Sequence, residues 1–248
     1  MLAMGPRRLE ATAAVYDTHD NDLLTTTTTT TSGQDSNDKR QRDCEYESDL
    51  VVVLDMDECL IHSQFMSRDA AKHAHQATSS NGLYSWNDDT VESFLITLPD
   101  GSAVKVNQRP HLHEFLKQVS SRYETHLFTA AVPVYADPVL DRLDPDRSIF
   151  AKRWYRADCS AVMTPHAPRY AKDLTRLGGN PSRVVLVDNN PDSFRRNPEN
   201  GILVPSFTHD PNDDSLLEVL GLLEELDGQT DVRPTLEAKF QLREQLGL

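Results

Sequence analysis

Cysteine is scarce in this chain, with 3 in 248 residues: Cys44, Cys59 and Cys159. The odd count and wide spacing give no zinc motif and suit a reducing intracellular compartment. Basic residues are also in deficit. Against 25 Lys and Arg stand 39 Asp and Glu, a net charge of −14, and a general nucleic-acid binder would need a basic face. Long apolar runs are missing, and none approaches the roughly 20 residues of a membrane span. The N-terminus has no apolar signal core, and its acids argue against a transit peptide. No internal repeat is present.

What remains divides into two parts. Residues 1–47 are polar, with scattered acids and threonine at every position from 25 to 31. Such a composition cannot bury enough apolar area to offset the entropy of ordering, so a disordered low-complexity tail is expected. Its Lys39-Arg40-Gln41-Arg42 reads as a solvated basic run, with a nuclear-import signal as the alternative, so nuclear and cytoplasmic locations both stay open. Residues 48–248 suit one domain. Their acids concentrate between positions 210 and 231, where there is no Lys or Arg, as on a solvated helix face.

Three apolar runs end abruptly in polar residues. Leu50-Val51-Val52-Val53-Leu54 meets Asp55-Met56-Asp57, His126-Leu127-Phe128 meets Thr129, and Val184-Val185-Leu186-Val187 meets Asp188-Asn189. Continuous β-branched runs of this kind are buried strands of a parallel sheet. A fourth is expected at 201–204. Helical spacing appears at 110–123, 134–143, 169–177, 216–226 and 236–246. The alternation predicts an α/β fold with right-handed crossovers and helices on both faces of the sheet. Two insertions read as β-hairpins: 93–106, around Pro99-Asp100-Gly101, and 150–163. They wall the site or merely cover sheet edges.

Ligands of open α/β sheets bind at the carboxyl ends of the strands. Two carboxylates at one strand end do not belong in a core, because an unpaired buried carboxylate costs several kcal/mol. If the three strand ends converge, Asp55, Asp57, Thr129, Asp188 and Asn189 form an all-oxygen set that suits Mg²⁺. A carboxylate can attack phosphorus, and a second one two residues on can protonate the leaving alcohol and then activate water. Lys172, expected on the helix before the third strand, is the best cation for phosphoryl oxygens.

At this point the residues carry a family resemblance. The chain resembles the haloacid-dehalogenase superfamily, whose hallmark is Asp-x-Asp-x-(Thr/Val). More closely it is similar to phosphatases of the RNA polymerase II C-terminal-domain (CTD) type, including the small CTD phosphatases and the Dullard-like lipin phosphatases. The match runs over about 49–235. It rests on Asp55-Met56-Asp57-Glu58-Cys59-Leu60-Ile61-His62-Ser63, Arg109-Pro110, Leu127-Phe128-Thr129-Ala130, Tyr135-Ala136-Asp137-Pro138, Tyr170-Ala171-Lys172-Asp173-Leu174 and Asp188-Asn189-Asn190-Pro191, in that order.

The resemblance implies a Rossmann-like sheet with small hairpin insertions and a Mg²⁺-dependent phosphoserine/phosphothreonine protein phosphatase. Asp55 would be the nucleophile and a metal ligand. Asp57 would be the general acid and then base, binding the metal through its backbone carbonyl. Thr129 and Lys172 would hold the phosphate, and Asn189 would bind the metal with Asp188 beside it. Arg156, Phe65 and Tyr135 fall at substrate-binding positions, though Arg156 equally suits a structural ion pair and the two aromatics ordinary packing.

Cys59 stands where the family has Thr, and Asn190 where it has Ser; both put substrate preference in question more than the reaction. A phosphorylated protein is the expected partner and a monomer the expected state. No segment is long enough for a large helical cap, which favours an open site. The rival readings are a binding module of the import-receptor branch, and a phosphatase of a lipin-like protein or small molecule.

Overall fold

A parallel sheet of five strands carries the molecule, in the order β10-β9-β1-β5-β6. These are β1 (Val51–Leu54), β5 (Glu124–Phe128), β6 (Lys152–Trp154), β9 (Val184–Asp188) and β10 (Gly201–Leu203). β1 is central, with Leu54 opposite Leu127 on one side and Val187 on the other. The computed structural model describes residues 46–66, 91–163 and 168–248. The expected tail therefore lies, as far as residue 45, outside the described residues.

Side chains alternate across the sheet as a period of two requires. Val52, Leu54, Val185 and Val187 face one core cluster, while Val53, Val184 and Leu186 face a second. The first cluster is closed by α1 (Leu112–Arg122), α2 (Pro133–Leu143) and α3 (Ser215–Asp227). α1 buries Leu112, Phe115, Leu116 and Val119, the apolar stripe that its sequence spacing predicts. α2 opens on Pro133, whose fixed φ and missing N–H are tolerated in a first turn. The second cluster is covered by 3₁₀ turns that carry Leu174 and Phe194 and by a short C-terminal helix that carries Leu242. Gly201 is required there, because a Cβ on it would run into Leu242 and Phe194.

The 93–106 hairpin forms as β3 (Ser93–Thr97) and β4 (Ala103–Gln108). β2 (Ile61–Phe65) adds to it, making a three-stranded antiparallel sheet in the order β2-β4-β3. Alternation in so short a stretch as Ile61–Phe65 is weak, and its strand state comes from pairing with β4 across a long gap in sequence.

Three expected elements are corrected. The helix expected over 169–177 is instead β8 (Arg169–Ala171) followed by a 3₁₀ turn at Leu174–Leu177. β8 pairs antiparallel with β7 (Ser160–Val162), and the Lys172 N–H donates to Ser193 O at 2.9 Å, so these backbone groups are committed to distant partners. The hairpin expected over 150–163 is split for the same reason. β6 joins the edge of the parallel sheet beside β5, while β7 leaves to meet β8. Between them a 3₁₀ turn at Arg156–Asp158 is closed by the Asp158 carboxylate, which accepts the Tyr155 N–H at 3.0 Å. The last helix breaks at Gln241, which is left-handed at φ 50°, giving α4 (Arg233–Phe240) and α5 (Leu242–Gln245).

Candidate active site

The ends of β1, β5 and β9, together with the residue after β8, meet at one edge of the parallel sheet. β1 delivers Asp55, whose N–H donates to Val187 O at 3.0 Å and so continues the ladder with β9. Met56 is fully buried, and Asp57 follows at the start of a tight turn. Glu58 is left-handed at φ 59°, a conformation costing a non-glycine residue about 1–2 kcal/mol. The N–H groups of Leu60 and Ile61 both donate to Met56 O, at 2.9 and 3.1 Å. The turn is thus wound back on itself, and the two carboxyl groups stand at its mouth.

One residue clamps this turn that the motifs quoted without assigning it a job. Arg109, just beyond β4, is 1% exposed. Its guanidinium donates to Cys59 O at 2.9 Å, to Pro205 O at 3.0 Å, and to both carboxylate oxygens of Asp213 at 2.8 Å. The local signal was present: a lone arginine at the end of a buried strand demands acceptors. Their identity was not legible, since they lie 50 to 104 residues away. Cys59 also finds its explanation here. It is fully buried, with Sγ 3.7 Å from Val187 O. Burial first, then the Asp55 and Asp188 charges, push its thiol well above the ordinary range. The family threonine is thus replaced by a packed thiol with very little thiolate.

Lys172 is 1% exposed and lies between two carboxylates. Its ammonium is paired with Asp55 and donates to Asp188 Oδ2 at 2.6 Å. Burial alone would lower its pKa; Asp188 and Asp55 outweigh that and hold it above the ordinary lysine range. Asp55 is driven upward by burial and then by the Asp188 charge, with Lys172 pulling back. Asp188 Oδ1 accepts the Asn190 N–H at 2.8 Å. Asn189 donates through Nδ2 to Ser206 Oγ at 2.8 Å and to Glu58 at 3.5 Å. Ser206 was not anticipated, and nothing in its local sequence singles it out.

Thr129 is buried, its N–H donating to Trp154 O at 3.0 Å. Its Oγ1 accepts the Ala131 N–H at 2.9 Å, which leaves the hydroxyl proton available to an anion. Asp57 is half-buried; burial raises its pKa to about 6, against a hydrogen bond from Tyr135 and the charge of Lys172. The Tyr135 hydroxyl lies 2.5 Å from Asp57 Oδ1 and 2.7 Å from Ser63 Oγ.

The three residues expected to meet substrate lie at the rim. Phe65 is half exposed, its ring centroid 6.1 Å from that of Tyr135. Arg156 is exposed. Its Nε donates to Ala130 O at 2.6 Å, and its guanidinium lies 5.2 Å from the Tyr170 ring centre. Among the described residues it makes no ion pair. The geometry therefore joins Asp55, Asp57, Thr129, Lys172, Asp188 and Asn189 in one site, with Arg156, Phe65 and Tyr135 around it.

A parallel sheet whose central strand ends in Asp-x-Asp, with a buried lysine between that strand end and its neighbour's Asp-Asn, is the arrangement that the resemblance to haloacid-dehalogenase-type phosphatases implies. Comparison with known proteins narrows the class. Residues 50–233 match the family described as NLI interacting factor-like phosphatase. The chain is 37% identical over 194 residues to the CTD nuclear envelope phosphatase 1 homolog of Caenorhabditis elegans, covering 77% of this chain and 72% of that protein. It is 35% identical over 189 residues to the CTD nuclear envelope phosphatase 1 of Xenopus tropicalis, covering 75% and 70%. To the CTD small phosphatase-like protein 3 of Caenorhabditis elegans it is 33% identical over 199 residues, covering 80% and 62%. The chain belongs to the NLI interacting factor-like phosphatase family, and it is a protein phosphatase. Among the described residues no helix is long and apolar enough to cross a membrane.

Proposed function

We propose that this protein hydrolyses phosphoserine and phosphothreonine in protein substrates through an aspartyl-phosphate on Asp55, with Mg²⁺ as cofactor. The observation that carries the reading is the pairing of buried Lys172 with both Asp55 and Asp188, with Asp57 two residues beyond. In the first step an Asp55 oxygen forms a bond to phosphorus. The bond from phosphorus to the serine oxygen breaks, and that oxygen takes the proton of Asp57. In the second step Asp57 takes a proton from water, whose oxygen bonds to phosphorus and releases Asp55. Thr129 and Lys172 hold the phosphoryl oxygens throughout. Their contribution is electrostatic positioning, the main resource in phosphoryl transfer.

The residues fit a hard divalent cation. Asp55 and Asp188 bring two carboxyl groups to one ammonium, Asp57 stands two residues from Asp55, and a phosphate adds further negative charge. Among the described residues no three His, Cys, Asp or Glu side chains converge as metal ligands. As the family resemblance implies, the ion would be held by the Asp55 carboxylate, the Asp57 backbone carbonyl and Asn189, with Asp188 beside them and water completing the set, as Mg²⁺ prefers. When bound, the ion would neutralise charge on the phosphoryl oxygens.

The catalytic domain spans 48–248 in this reading, acts as a monomer, and takes its substrate at an open site rimmed by Phe65, Tyr135 and Arg156. The words CTD and nuclear envelope in the relatives' names support a CTD-like phosphoprotein substrate and a nuclear setting. Asp55→Asn is expected to lower turnover of an aryl phosphate at least about a thousandfold; near-normal turnover in that variant would sink the mechanism. Substrate class is checked by kcat/KM over a phosphopeptide panel. Ser-Pro repeats are expected to lead it, and a flat profile would exclude sequence-specific recognition.

A further inference from the structure

Asp57 projects from a turn, so the sheet ladder does not fix its side chain. What fixes it comes from two other elements. Tyr135, on α2, reaches Asp57 Oδ1 at 2.5 Å, and Ser63, on β2, lies 2.7 Å from the same phenolic oxygen. A tyrosine has one hydroxyl proton. The carboxyl oxygen is the stronger acceptor and takes that proton, so between Tyr135 and Ser63 the serine hydroxyl must donate. The chain Ser63 to Tyr135 to Asp57 is therefore directional, and it ends on one specified oxygen. The ring that carries it is stiffly mounted, packed against the main core cluster and flanked by Phe65. The Tyr135 N–H donates to Val132 O at 3.1 Å, within the first turn of α2.

We infer that Tyr135, oriented by Ser63, is a positioning residue that holds Asp57 Oδ1 and so presents Oδ2 to the leaving oxygen of the substrate. The inference rests on the assignment of Asp57 as general acid. In the first half-reaction the proton on Oδ2 passes to the serine oxygen as its bond to phosphorus breaks and the Asp55–phosphorus bond forms. In the second, the same Oδ2 takes a proton from the water whose oxygen displaces Asp55. A carboxyl group free to rotate presents the wrong oxygen, or none, for part of the time, and misplacement of about 1 Å is costly in such transfers. Tyr135 thus has a task that its apolar ring alone would not perform, and Ser63 one that its place on a half-buried strand does not suggest.

The test exploits the leaving group. An alkyl oxygen needs a proton to depart, whereas a dinitrophenolate does not. kcat/KM, which reports only the first half-reaction, is measured for a phosphoserine peptide and for dinitrophenyl phosphate. Tyr135→Phe keeps the ring and removes the donor. It is expected to lose about 10- to 100-fold on the peptide and less than about threefold on the aryl phosphate, the effect of one hydrogen bond to an ionisable group. Ser63→Ala is expected to lose less, with the same bias toward the peptide. An unchanged thermal melt shows that each variant is folded. Equal losses on both substrates, or undiminished peptide turnover in both variants, would overturn the positioning role. The underlying reading fails separately. Turnover of either substrate by Asp55→Asn would overturn the aspartyl-phosphate, and absence of leaving-group bias in Asp57→Ala would overturn its assignment as acid.

Discussion

Lys172→Met is expected to lower kcat by about 10²- to 10³-fold, as loss of a preorganised charge at the reacting centre does, and to destabilise the fold by roughly 3–5 kcal/mol. Methionine nearly matches lysine in length, so packing is little changed and charge carries the effect. Asp55 and Asp188 would remain buried beside each other without their shared ammonium. Each would then hold its proton to higher pH than in the unfolded chain. A carboxyl group whose folded pKa is raised is tolerated at low pH and destabilises as pH rises through that value. The stability deficit should therefore be largest at neutral pH and shrink toward about pH 4, where unfolded carboxyl groups also protonate. Denaturant melts at several pH values check the sign, and steady-state kinetics check the rate. A deficit that grows on acidification would contradict the charge argument, and a kcat within about threefold of the parent would remove Lys172 from the site.

Arg109→Met should produce a comparable loss of stability that is purely structural. The guanidinium bonds to the active-site turn and to both ends of the 205–213 segment, and its removal leaves Asp213, Cys59 O and Pro205 O without their donor. Breaking a buried pair by deleting one partner costs about 3–5 kcal/mol, or roughly a 10 °C fall in Tm for a domain of this size. The loss should concentrate where the clamp acts. The Phe207 N–H donates to Glu58 O at 2.8 Å, joining the 205–213 segment to the active-site turn. Its amide exchange, and that of Leu60, should accelerate well beyond that of the β1 amides. Uniform acceleration across the sheet would instead mean that Arg109 contributes only to global stability.

Much of this site was legible before any coordinates. Asp55, Asp57, Asp188 and Asn189 announce themselves because carboxylates and amides directly after fully apolar strands need a compensating cation. The stripe of Leu112, Phe115, Leu116 and Val119 was equally plain, since a helix buries one face at a spacing that the sequence displays. Lys172 was recognised as a residue but placed on the wrong element. Its neighbours Tyr170, Ala171 and Leu174 satisfy helical spacing; pairing of β8 with β7 and the bond from Lys172 to Ser193 O override that weak local preference. The break at Gln241 and the edge position of β6 were missed for the same reason.

The sequence by itself determined the strand cores, the α/β class and the acids of the site. These follow from hydrophobic burial and the cost of stranded charge, which act residue by residue and leave a local periodic trace. Only the tertiary structure decided which groups face those acids. Lys172 meets Asp55 across 117 residues, Tyr135 meets Asp57 across 78, and Arg109 meets Asp213 across 104. A hydrogen bond or ion pair is specific in distance and angle but indifferent to separation along the chain. The partners that set proton position, nucleophile charge and turn rigidity therefore have no sequence period to betray them.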